Sequence, residues 1–161
     1  SVLDSSIKVE ETTGALKFSD KGTKVQYMLA APSVIPAVPD LKELPPFDAE
    51  ITLDDEFINK YIKSKGALAD ADTFTFTCKN NKGEIILGYS SINSNRISIS
   101  VNCSCDNDIE PIAFSAKYLK EILTANKGSK KSSLKISSKG LAHVSFEDGD
   151  YTSNYYLVEI K

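Results

Sequence analysis

A strand, a helix and three further strands are signalled twice in residues 49–161, and this duplication constrains the fold more than any other feature of the 161-residue chain. Sliding the sequence by 61 residues lays Phe57, Ile58, Tyr61 and Ile62 on Tyr118, Leu119, Ile122 and Leu123, so two helical segments carry one apolar pattern. "KSKG", ending at Gly66, and "ANKG", ending at Gly128, fall one residue out of that register, and a glycine at either place can stop a helix in the left-handed conformation. The first copy reads as strand Ala49–Leu53, helix Asp55–Ser64 and strands Thr73–Cys78, Glu84–Tyr89 and Arg96–Val101. The second reads as a short strand near Pro111–Phe114, a helix from Ala116 to Asn126 and strands Ser132–Ser137, Ala142–Phe146 and Asn154–Ile160.

Upstream, Ser6–Glu10, Ala15–Ser19 and Lys24–Ala30 alternate between apolar and polar residues, with turn signals at Thr13-Gly14 and Lys21-Gly22. This meander has the same three-strand spacing, so residues 1–31 read as the last strands of an incomplete first domain, with the chain beginning inside it. The stretch "APSVIPAVPDLKELPPFD" holds five of the six prolines, too many for a paired central strand. Residues 32–48 therefore read as an extended connector, and 49–161 as a second domain.

Charge is unevenly placed. The segment "SAKYLKEILTANKGSKKSSLKISSKG", residues 115–140, has seven lysines and one acid in a chain of net charge −3. At roughly 100° per residue, the side opposite the apolar one holds Asn59, Lys60 and Lys63 in the first helix and Lys117, Lys120, Thr124 and Lys127 in the second. Lys130 and Lys131 extend that surface into the following loop. Asp54, Asp55 and Glu56 fall at a helix start, where the helix dipole favours them, and Asp106, Asp108, Glu147, Asp148 and Asp150 fall in turns. A solvated helix face carries lysines without any ligand, but two matched faces and a lysine loop favour contact with a nucleic-acid backbone. Lysines suit phosphate attraction, whereas base edges favour the planar fork of arginine, and Arg96 is the only arginine.

Enzymatic and metal readings find little support, so we expect no catalysis, no cofactor and no metal. His143 is the only histidine and sits in an alternating strand, where a structural or solvent-facing role outweighs catalysis. Cys103 and Cys105 lie two apart on one strand and point the same way, but no second pair exists to complete a zinc site. "DND" at 106–108 and "EDGD" at 147–150 are too short for a calcium loop and read as turns. No glycine-rich phosphate loop occurs. "NCS" at 102–104 would accept a glycan only in a secreted protein. Three cysteines do not make a dense disulfide framework, and no apolar run approaches the ~18 residues of a membrane span, so a soluble protein of a reducing cytoplasm is expected, with no membrane partner.

The doubled strand-helix-three-strand units, the paired lysine-faced helices and the connector "IPAVPDLKELPPFD" together resemble the DNA polymerase sliding clamp, or processivity factor, of the T-even bacteriophage type. The resemblance implies an α+β DNA-clamp fold, helices on one face of antiparallel sheets, and a ring that three copies close around double-stranded DNA. It implies that a full subunit holds two such domains, so that about 60–90 residues are missing before Ser1. It implies as partners a DNA polymerase C-terminal peptide, a clamp loader, a transcription factor and, for the full-length subunit, two further copies in a homotrimer, in the cytoplasm of a host cell. It places the peptide groove at Val38, Leu41, Leu44 and Pro45, although such residues also pack simply on their own domain. Subunits would join by edge pairing of Lys24–Ala30 with Arg96–Val101, through Val25, Tyr27, Arg96, Ile97 and Ile99. The alternatives are a non-enclosing β-rich module for single-stranded nucleic acid and a structural assembly protein. The first would expose aromatics beside the lysines, whereas Phe57, Tyr61 and Tyr118 are expected on buried helix faces.

Overall fold

A computed structural model describes residues 7–34, 43–89, 95–105 and 107–161. They divide into two units between Glu43 and Leu44. The first is an antiparallel meander of β1 (Lys8–Thr12), β2 (Ala15–Asp20) and β3 (Thr23–Met28), followed by a 3-10 turn at Pro32–Val34. Tight turns join Thr12 to Ala15 and Asp20 to Thr23 in register. Ala15 is buried, whereas Val9, Tyr27 and Met28 are exposed.

The second unit runs β4 (Ala49–Thr52), α1 (Asp55–Ala67), β5 (Thr73–Lys79), β6 (Lys82–Leu87), β7 (Ile97–Cys105), β8 (Ile109–Ser115), α2 (Ala116–Ala125), β9 (Lys131–Ser137), β10 (Leu141–Asp148) and β11 (Tyr151–Val158). Its eight strands form an antiparallel sheet in the order β11-β10-β9-β4-β7-β6-β5-β8. The duplication explains this order. β4 pairs with β7 of its own copy and β9 of the other, and β8, the counterpart of β4, pairs with β5. The remaining equivalent contact is made where Ile160, just past β11, donates its N–H to the Ala113 carbonyl of β8 at 2.9 Å. The sheet thus curls until its two ends meet.

Inside the curl, Phe74, Phe76, Ile85, Leu87, Ile99, Phe114, Leu134 and Ile136 are buried, and α1 and α2 bring Ile58, Tyr61, Leu119 and Leu123 onto them. Each such side chain contributes about 1.5–3 kcal/mol by leaving water. The helices start alike, at positions related by the repeat offset. The Asp54 carboxylate accepts from the Phe57 N–H at 2.7 Å, and the Ser115 hydroxyl from the Tyr118 N–H at 3.3 Å. They end differently. Gly128 follows α2 with φ +93°, as expected of a glycine stop, but Gly66 lies inside α1, which continues to Ala67 and is capped by Leu68.

Two expectations about edges meet different outcomes. β3 is a terminal strand of its sheet. β7 is not: it lies between β4 and β6. Because β4 is short, it covers only Cys103–Cys105, while β6 pairs with Ile97–Asn102. Among the described residues the far side of Ile97–Asn102 carries no ladder, so β7 is an edge over that length only. The reason is the length of β4, which the alternation of β7 itself does not reveal.

Candidate nucleic-acid interface

α1 and α2 lie side by side on the core. Their buried faces are not equivalent. α1 buries Phe57, Ile58 and Tyr61, and α2 buries Ala116, Leu119 and Leu123. Relative to the repeat alignment, α2 is turned by roughly 90° about its axis, at 100° per residue. This rotation overturns one expectation: Tyr118 is 58% exposed rather than buried. Tyr61 is fully buried and ties the pair together, its hydroxyl donating to the Ala116 carbonyl at 3.3 Å. Burial holds that phenol well above its ordinary pKa.

Lys60 and Lys63 are exposed opposite the core side of α1. On α2, Lys117, Tyr118, Glu121 and Thr124 face water and Lys120 is half-buried at the flank, so Glu121 stands within the outer face. Lys127 and Lys130 are exposed in the loop after α2, whereas Lys131 opens β9. Lys131 reaches Glu147 across the ladder at 3.4 Å, and Lys135 reaches Glu50 at 3.6 Å. Among the described residues, Lys60, Lys63, Lys117, Lys120, Lys127 and Lys130 form no ion pair. Lys65 caps its own helix, donating to the Ala69 carbonyl at 2.6 Å. The unpaired ammonium groups of α1, α2 and the following loop can attract phosphate weakly, through water, without reading sequence.

Of the residues expected to accept a partner peptide, Val38 and Leu41 lie outside the described residues. Leu44 is exposed and Pro45 half-buried. Beside them stands an aromatic group that the sequence pattern does not signal: the Phe47 ring lies 5.7 Å from His143, which stacks on Tyr156 at 4.7 Å. His143 Nε2 is also 2.9 Å from the Asn154 amide oxygen, a contact that orients the ring. Asp48 fixes the entry to β4 by accepting from the Ser138 N–H at 2.6 Å, and that bond holds its carboxyl below the usual range. Of the assembly residues, Val25 is half-buried and Tyr27 exposed in β3. Arg96 is exposed, its guanidinium 5.8 Å from the Tyr89 ring centre; Ile97 is half-buried and Ile99 is in the core. Only the backbone of Ile99, not its side chain, is therefore open to a neighbour.

Cys78 and Cys105 form a disulfide, and Cys103 is free between them. No helix among the described residues is long and apolar enough to cross a membrane.

No protein-family model matches this sequence, and no curated protein does. Solved structures do. The proliferating cellular nuclear antigen (PCNA) of Entamoeba histolytica superposes with a TM-score of 0.69 at 18% identity, over 99% of this chain and 66% of that one. The PCNA of A. fulgidus, solved with the C-terminal region of FEN-1 bound, gives 0.65 at 19% identity, over 96% of this chain and 64% of that one. The chain therefore has the α+β fold of the DNA sliding clamps, with duplicated strand-helix-three-strand units. It spans slightly less than two thirds of the length of these two proteins.

Proposed function

We propose that this chain is part of a sliding clamp that encircles duplex DNA and holds a replicative DNA polymerase on its template. The observation that carries the reading is the occurrence, within a clamp fold, of two adjacent helices and a following loop in which Lys60, Lys63, Lys117 and Lys127 are exposed and, among the described residues, form no ion pair. Such contacts are several, weak and screened, which lets a ring slide while topology retains it. A polymerase tail bound at Leu44, Pro45 and the Phe47–His143–Tyr156 stack would stay near its template at high effective concentration. The FEN-1 C-terminal region on the A. fulgidus protein supports this mode of partner binding. In this reading residues 1–31 belong to a first clamp domain and the full-length subunit assembles as a homotrimer, β3 of one copy pairing with the open Ile97–Asn102 edge of the next. The T-even phage type, a clamp loader and a transcription factor remain part of the proposal through the sequence resemblance.

Exposed Tyr118 gives a specific reason to keep a second reading, base stacking on single-stranded nucleic acid. Retention of the clamp on closed circular and on linearised duplex separates the two. A ring stays on the circle and runs off linear ends, whereas equal retention on both, with tighter binding to single strands, refutes encirclement.

A further inference from the structure

Strands β5 and β7 are separated by β6, so their side chains do not ordinarily meet. Cys78 of β5 is opposite Gly83 of β6, which is opposite Val101 of β7. A methyl group on Gly83 would come within 2.6 Å of Cys103 Sγ and 2.8 Å of Val101 Cγ2. The glycine thus leaves a gap in the middle strand, and sulfur fills it. Cys103 Sγ lies 3.4 Å from Cys78 Sγ and 3.2 Å from Cys105 Sγ, and all three sulfurs lie within 4.8 Å of one another. Zinc–thiolate bonds of about 2.3 Å in tetrahedral array set sulfurs roughly 3.8 Å apart, so small movements suffice to seat an ion among them. The Cα atoms of Cys78 and Cys105 are 7.0 Å apart, beyond the roughly 4.4–6.8 Å usual for a disulfide. A bridging ion tolerates that span. The ligand strands are also tied in place: the Cys105 N–H donates to the Asn81 side-chain oxygen at 3.2 Å, and the Asn80 N–H to Asp108 at 2.9 Å. Cys78 is buried, while Cys103 and Cys105 are partly exposed and leave a way in.

We propose that, once reduced, Cys78, Cys103 and Cys105 form a three-thiolate site for a thiophilic d10 cation, Zn(II) or Cu(I). The alternation of β7 presents Cys103 and Cys105 together, but only Gly83 lets Cys78 reach them. Reduction of the Cys78–Cys105 bond takes two electrons and two protons from a dithiol, which becomes a disulfide. The three thiols then lose their protons as three sulfur–metal bonds form. Soft thiolate ligands select zinc and cuprous copper over hard cations. With zinc, the fourth position is taken by solvent or by a group beyond these three. The site cross-links β5 to β7 independently of any DNA role.

The test uses the whole chain, reduced under argon with a phosphine, and Cd(II) as the spectroscopic probe. A thiolate-to-metal charge-transfer band should saturate at one equivalent and lose about a third of its intensity in Cys103→Ser. Zn(II) and Cu(I), added in turn with buffered free concentrations, should abolish the band, and the ion effective at the lower concentration is the one the site selects. Gly83→Ala keeps all three thiols but places a methyl group against Cys103 Sγ, and should weaken binding by at least about tenfold. Should either variant fail to fold, the thermal midpoint of the wild-type chain decides: metal raises it, and prior alkylation of the thiols removes that rise. No saturable band, a band unchanged in folded Cys103→Ser, or a wild-type midpoint that metal does not raise each overturns the site.

Discussion

Replacing Lys60, Lys63, Lys117 and Lys127 together by alanine should flatten the salt dependence of duplex binding and leave the fold intact. Each phosphate neutralised on B-DNA contributes about −0.9 to the slope of log K against log salt, so four contacts contribute about −3.6. Between 50 and 200 mM salt, roughly a fourfold change, the wild-type chain should therefore lose up to about 150-fold more affinity than the variant, equivalent to about 3 kcal/mol. All four residues are exposed and, among the described residues, lack ion pairs. Their loss should change stability by no more than about 0.5 kcal/mol. Lys131 supplies the internal control, since Glu147 already occupies its ammonium group at 3.4 Å. Lys131→Ala should move the slope by less than any one of the four. Fluorescence anisotropy of a labelled duplex across a salt series gives the slopes, and thermal melting followed by circular dichroism checks the fold. Parallel lines for wild type and the quadruple variant, with both folded, would remove these lysines from any DNA contact.

Tyr61→Phe keeps the packing of the ring but removes the buried hydroxyl bond to Ala116, and should cost about 1 kcal/mol in urea unfolding; a variant as stable as the parent would mean that the bond contributes nothing. Asp48 has its folded pKa lowered, so its contribution is present above the unfolded value of about 3.9 and is lost as pH falls through the folded one. The urea midpoint should consequently fall more between pH 5 and pH 2.5 in the wild type than in Asp48→Asn, and equal falls would dismiss the Ser138 bond as its cause. A peptide from the C-terminus of the cognate polymerase should shift the NMR signals of Leu44, Phe47, His143 and Tyr156 while leaving α1 and α2 unmoved. Shifts confined to the helices would mean that the peptide docks elsewhere.

Local patterns in the sequence carried most of the element order. The 61-residue offset aligns Asp54 with Ser115 as well as the apolar positions, and in the structure both residues cap helices. Alternation in β10 put Ala142, Val144 and Phe146 on one face, and all three are buried. These features depend on residues within one element or on a spacing repeated along the chain. Tyr118 failed for the opposite reason. A repeat offset specifies which residues correspond, not how far a helix is turned against its own sheet, and the rotation that buries Ala116 in α2 carries Tyr118 to the surface.

The three cysteines show where a pattern within single strands stops being informative. Cys103 and Cys105 share a face of β7 by alternation alone, and two thiols on one strand make an incomplete metal site. Bringing in Cys78 takes the pairing register of three strands and the absence of a side chain at the middle one. Gly83 is an unremarkable turn-adjacent glycine in "NNKGEI" until β5 and β7 are placed on either side of it. The same holds for the open edge of β7, which exists because β4 stops at Thr52 after covering only Cys103–Cys105. Both features arise from how strands are laid beside one another over long sequence separations. The open edge of β7 and the sulfur cluster are therefore properties of the sheet rather than of any segment in it, and substitutions at Gly83 should be felt at Cys103 although the two are twenty residues apart.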